Sequence, residues 1–139
     1  MELKLGNNKD FIWFSIPPIL AHNKAEAPYE WNLIFARIYS GAWQGSKIHM
    51  NLTTNEILDF LWSLLKPLSQ LVGSAELKSL EEWIKLTLKV DSLGKIEIRG
   101  SAKDSDIGNR LEFLIETDQS FFTQIPKQIQ EYISSQAVE

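Results

Sequence analysis

The chain has 139 residues, 44% of them hydrophobic and 11% aromatic, and a formal net charge of −4. Length and apolar content fit a single domain over residues 1–139 with a full core, and the aromatic load excludes a disordered chain. The acidic balance without a basic stripe argues against direct nucleic-acid binding, and the lack of cysteine removes disulfides, thiolate nucleophiles and cysteine-ligated metals.

Glu2 to Leu5 alternates as a short strand, and Gly6-Asn7-Asn8-Lys9-Asp10 reads as a turn. The opening MELKLGNNKD has no charged segment followed by an apolar one, so no secretory signal is read and a cytoplasmic location is expected. Phe11 to Ile16 is a second strand that Pro17-Pro18 stops. Residues 19–28, ILAHNKAEAP, show no period and read as a loop.

Tyr29 to Tyr39 is a long strand with Tyr29, Trp31, Leu33, Phe35, Arg37 and Tyr39 on one face. Ser40-Gly41 signals a turn and Trp43 to Leu52 returns, a register that pairs Leu33 with Ile48 and Trp31 with Met50. Both faces of this hairpin tip are then partly apolar. The expectation is that another element covers it; the alternative is an exposed patch for a partner or for a second copy of the chain.

Thr53 with Glu56 three residues later forms a capping box, and Ile57, Phe60, Leu61, Leu64, Leu65, Leu68, Leu71 and Val72 make the apolar stripe of a helix. Trp62 lies off the stripe and is expected to meet a sheet edge. Pro67 predicts a kink or a split near Leu65, and Gly73 a stop. Asp59, Lys66 and Pro67 interrupt the run too often for a bilayer span, so no membrane partner is expected. Ser74 to Ser79 reads as a polar link.

Leu80 to Asp118 reads as three antiparallel strands. Leu80, Ile84, Leu86, Leu88 and Val90 point one way, and the Asp91-Ser92-Leu93-Gly94 turn pairs Val90 with Ile96 and Leu88 with Ile98. The third strand returns with Leu111, Phe113 and Ile115 inward and sets Phe113 opposite Gly100, where a ring can cover bare backbone. Ile125, Ile129, Tyr132 and Ile133 form the stripe of a closing helix, with Thr123 as its cap. The order ββββ-α-βββ-α is that of an α+β fold: an antiparallel sheet of about six to seven strands packed with two helices.

No constellation names a reaction, so no catalytic, cofactor or metal residue is assigned. His22 and His49 are far apart and read as surface histidines, with His49 on the solvent side beside Asn32. Glu116 and Asp118 imitate an acid/base pair, but Asp118 is better placed to start the last helix and Glu116 to face water beside Arg99. What remains is the outer face of the meander. There Trp83 and Leu114 are apolar where solvent is expected, with Glu81, Glu97, Glu112 and Glu116 around them. The plain reading is a solvated face with cross-strand ion pairs; the functional reading is a protein interface.

The stretches EEWIKLTLKVDSLGKIEIRGSA and NRLEFLIETDQSFFTQIPKQIQEYI resemble the WapI-type immunity proteins of bacterial polymorphic toxin systems. The shared features are a strand pair with a D-x-x-G turn and an L-x-F-x-x-x-x-D-Q-[ST] segment, here Leu111, Phe113, Asp118, Gln119 and Ser120, before a closing helix. The resemblance implies a non-enzymatic protein that binds and blocks a cognate toxin domain, and the mild acidity fits a basic one. A second reading is a small-ligand domain with a pocket between sheet and helices lined by Trp13, Trp31, Phe35 and Trp62. A third is a hydrolase using Glu116, Asp118 or His49.

Overall fold

A computed structural model of the chain describes residues 1–18, 31–79, 83–104 and 108–135, with backbone alone at 46 and 47. Eight strands, two α-helices and one 3-10 turn occur among them. The α+β class and the order of the helices agree with the sequence pattern. The strands, however, fall into two four-stranded antiparallel sheets.

The first sheet runs β1 (Glu2–Gly6), β2 (Phe11–Ser15), β3 (Trp31–Ser40), β4 (Trp43–Thr53), each strand beside the next. Its inner face holds Leu3, Leu5, Ile12, Phe14, Ile34, Ala36, Ile38, Ile48, Met50 and Leu52, all buried. The β3–β4 register differs from the expected one. Ile34 pairs with Met50 and Ala36 with Ile48; the register then shifts between Ala36 and Ile38, so that Ser40 meets Trp43 across a Gly41-Ala42 loop. This alignment matches apolar with apolar on one side only, whereas Leu33 against Ile48 would have mixed the two sides. Leu33 pairs with Asn51 and His49 with Phe35, not with Asn32. The even-numbered side of the hairpin is covered, as expected. The odd-numbered side is not: Trp31 is 52% exposed and Trp43, at the tip, 71%.

The capping box forms as read. The Thr53 hydroxyl accepts from the Glu56 N–H at 3.2 Å, and the Glu56 carboxylate accepts from the Thr53 N–H at 2.8 Å, together opening α1 (Thr54–Gln70). The helix continues through Pro67, which is buried, so no split occurs near Leu65. It ends at Leu71 rather than at Gly73, and Leu71 takes the left-handed conformation at φ 55°. Trp62 is 58% exposed and shares a hollow with Pro67, Val72, Gly73 and Ser74. The Ser74 to Ser79 link is mostly a strand, β5 (Gly73–Lys78), with Ala75 and Leu77 buried. Two small or apolar residues in six are a weak period, and pairing with β6 (Ile84–Val90) decides it: Ala75 meets Leu88 and Leu77 meets Leu86.

The second sheet runs β5, β6, β7 (Lys95–Lys103), β8 (Arg110–Asp118). Val90 pairs with Ile96 and Leu88 with Ile98, as the turn chemistry required, with Gly94 at φ 79°. Gly100 faces Phe113, and a Cβ added there would lie 2.8 Å from the ring's Cζ and would collide with the Lys85 carbonyl. Glycine at 100 is therefore a packing requirement. Leu111 is half-buried, while Phe113 and Ile115 are buried as expected.

Asp118 caps the 3-10 turn Gln119–Phe121, its carboxylate accepting from the Ser120 N–H at 2.8 Å and from the Ser120 hydroxyl. These bonds hold its carboxyl below the usual range. The Gln119 N–H donates to the Gly94 carbonyl at 3.2 Å, so the D-Q-S segment fastens β8 to the hairpin turn and launches α2 (Ile125–Ser135). At the first turn of α2 the Gln124 carbonyl accepts from Gln128. Tyr132 donates to the Pro17 carbonyl at 2.7 Å, and burial pushes its phenol up to about 12.

Both inner faces, the two helices and Phe122 share one buried cluster. The turns of the first sheet lie on β8: Asn7 Nδ2 donates to the Glu116 carbonyl at 3.0 Å and Ser40 Oγ to the Leu114 carbonyl at 3.3 Å. Between the sheet and α1, the void among Phe14, Ile34, Ile57 and Phe60 is about 10 Å³ and has no polar lining, at the lower limit for a single water. Trp13, Trp31, Phe35 and Trp62, expected to line a ligand pocket, do not line this void: among the described residues the first three stand on the outer side of the first sheet and Trp62 is exposed.

Candidate functional site

Period-2 alternation sends the odd residues of β5–β8 to one side or the other of the second sheet according to register, and the outer side carries the sequence-predicted residues. Glu112, Leu114 and Glu116 stand along β8, the edge strand, and Glu97 stands on β7 directly opposite Glu116. Leu114 is 41% exposed. Arg99 pairs with Leu114 in register and forms an ion pair with Glu97. The cations Lys78, Lys85 and Lys89 sit on β5 and β6 with one carboxylate, Glu76, among them, so the face is net basic at β5–β6 and acidic at β8. A shallow hollow lies between Lys85, Arg99, Glu112 and Leu114.

Trp83 does not join this group as a free anchor. It is half-buried and packs against the core, with Lys103 Nζ 5.2 Å from its ring centroid. Its place just before β6 explains the difference, because strand alternation does not govern a residue outside the strand. Glu81 lies outside the described residues. Of the six expected residues, Glu97, Glu112, Leu114 and Glu116 are thus brought together.

The outer face of the first sheet holds side chains that sequence reasoning placed together but expected to be covered. Lys4 on β1 lies over the Phe11 ring at 4.3 Å, and Phe11 stacks at a tilt on Tyr39 at 4.8 Å. Arg37 lies over Trp13 at 4.9 Å. Phe35 meets His49 edge to face at 4.7 Å. Beyond them Leu33 and Trp31 continue along β3, 48% and 52% exposed. The signal was present in the alternation of Trp31, Leu33, Phe35, Arg37 and Tyr39; what alternation cannot say is which side meets water.

A third feature is a cleft of about 520 Å³ between the hairpin tip and the start of β8, lined by Trp43, Ile48, Asp104, Arg110 and Glu112. Asp104 is engaged there, accepting from the Asn109 N–H at 2.7 Å.

The residues of the hydrolase reading are not assembled. His49 is on the outer face of the first sheet against Phe35, Glu116 is on that of the second, and the Asp118 carboxylate is committed to Ser120. His22 lies outside the described residues. Among the described residues no three metal-ligating side chains cluster, and no helix is long and apolar enough to cross a membrane.

Residues 8–136 match the family described as the immunity protein WapI-like family. No curated protein matches the chain. Among solved structures, a chain from crystal structures of Trypanosoma bruciei MRP1/MRP2 is similar with a TM-score of 0.53 and 9% identity, over 97% of this chain and 83% of that one. At that identity the likeness is one of fold.

Proposed function

The chain belongs to the immunity protein WapI-like family, and from that premise we propose that it is a non-enzymatic protein of the cytoplasm that binds and neutralises a cognate toxin domain. The proposed contact is the acidic edge of the second sheet, made by Glu97, Glu112, Leu114 and Glu116. One observation supports that choice above the others: Glu97 and Glu116 face each other directly across β7 and β8. Like charges so placed weaken a strand pair; Arg99 already pairs with Glu97, and a basic side chain from a partner would pair with Glu116. Leu114, exposed between these carboxylates, supplies an apolar centre with a charged rim. The partner that fits is a basic toxin domain.

The test has two stages. Tagged chain is used as bait at low and high salt, and every captured protein is then expressed alone and together with the chain. A captured protein that arrests growth alone, and no longer does so beside the chain, supports the reading. Captured proteins that are all harmless when expressed alone would sink it. Glu112→Lys with Glu116→Lys should weaken the rescuing complex about tenfold, chiefly at low salt; unchanged rescue would move the contact elsewhere.

A further inference from the structure

We propose that the outer face of the first sheet is a second docking surface, whose occupant is an acidic segment of a protein partner that also carries apolar side chains. The proposal stands apart from the neutraliser reading, since it concerns the chemistry of one face whichever protein brings the segment. Three observations carry it.

The first is charge. In a chain of net −4, this face presents Lys4 and Arg37, and among the described residues neither has a carboxylate within salt-bridge distance. Glu2, at the edge strand β1, is the acidic side chain of the described part of this face. The second is geometry. Each cation sits over a ring, Lys4 on Phe11 and Arg37 on Trp13, so the rings hold the cationic groups in place while donors remain for an incoming carboxylate. Arginine's planar fork suits a carboxylate bidentately. The third is the apolar ground beside them: Trp31, Leu33 and Phe35 are 52%, 48% and 41% exposed in one row along β3. Exposed tryptophan and phenylalanine beside an arginine have the composition of interface hot spots.

A nucleic acid fits less well. Stacking rings are present, but two cations without a basic stripe neutralise few phosphates, and the overall charge opposes the approach. A protein segment with carboxylates and leucines satisfies both the cations and the apolar row.

The experiment uses the full chain with labelled indoles, whose N–H resonances are assigned by single Trp→Phe variants. It is titrated with a glutamate–leucine peptide, a lysine–leucine peptide of equal length and an oligothymidylate. The expected result is that the glutamate–leucine peptide shifts Trp13 and Trp31 but not Trp62 or Trp83, and that Arg37→Glu weakens this about tenfold. Lys4→Glu, on a different strand, should weaken it too, so that a folding defect in one variant leaves the other as a check by circular dichroism. Equal response to the lysine–leucine peptide overturns the proposal, as does the absence of shifts at roughly 1 mM peptide. Tighter binding of oligothymidylate overturns it in favour of a nucleic acid. Shifts that follow protein concentration without peptide, and vanish in Arg37→Glu, overturn it in favour of a second copy of the chain.

Discussion

The two outer faces are built on the same scaffold, four antiparallel strands with an apolar inner side, yet they meet solvent in opposite ways. The second sheet turns out charges in both signs and keeps one exposed leucine, Leu114, on its edge strand. The first turns out rings with two cations laid over them, Lys4 and Arg37. A solvated sheet face needs no aromatic residue, and the second shows what such a face looks like when charge is sufficient. Both sheets bury their inner sides in one cluster, so the contrast lies in what each leaves outside. The first face exposes an apolar row that a monomer gains nothing by exposing.

The comparison is broken most severely from within. Gly100→Val forces a side chain into Phe113 and the Lys85 backbone, and should cost roughly 3 kcal/mol or more. Because the sheets share a core, urea unfolding followed by tryptophan fluorescence and by circular dichroism should stay a single transition at a lower midpoint. Two separate transitions would show that the sheets are independent.

Tyr132→Phe removes the bond to the Pro17 carbonyl that ties α2 to the end of β2, and should cost about 1 kcal/mol at neutral pH. The sign of the pH effect follows from the raised phenol. The fold favours the protonated form, so this contribution is fully present below about 10, the unfolded value, and is lost as pH rises through about 12. Stability should fall across that window in the parent, and the part due to Tyr132 should be missing in the Phe variant.

Arg37→Ala gives up its packing over Trp13 and should cost about 0.5–1 kcal/mol, read as a shift in the thermal midpoint. A larger loss would mean that Arg37 holds the first sheet together and does not merely stand on its face. The smallest effect is expected at the edge of the second sheet. Glu116→Lys replaces a like-charge pair opposite Glu97 with an attractive one, and should stabilise by about 0.2–0.5 kcal/mol while weakening a basic partner. Loss of stability there would remove the argument that the carboxylates are kept for a partner.

Much of the second sheet was legible in the sequence because its connections are local. The β6–β7 turn has its glycine at the position with positive φ, the Gly100–Phe113 pairing follows from turn length, and Thr53 with Glu56 fixes the start of α1. These are contacts over a few residues, where backbone sterics and hydrogen-bond geometry leave one choice. Trp83 shows the limit, since one residue outside a strand no longer follows its alternation. β5 was hidden because Ala75 and Leu77 are too few to mark a period until β6 lies beside them.

Alternation by itself determined that Trp31, Leu33, Phe35, Arg37 and Tyr39 share a side, and that Glu112, Leu114 and Glu116 share another. Only the tertiary structure decided which side of β3 faces water, that the strands divide into two sheets, and that the β3–β4 register shifts between Ala36 and Ile38. The reason is physical. A strand with apolar residues on both sides has two nearly equal ways to face a core, and the choice is made by the partners that fill that core. Here those are the side chains of α1 and α2 and the inner face of the second sheet, all distant in sequence from β3.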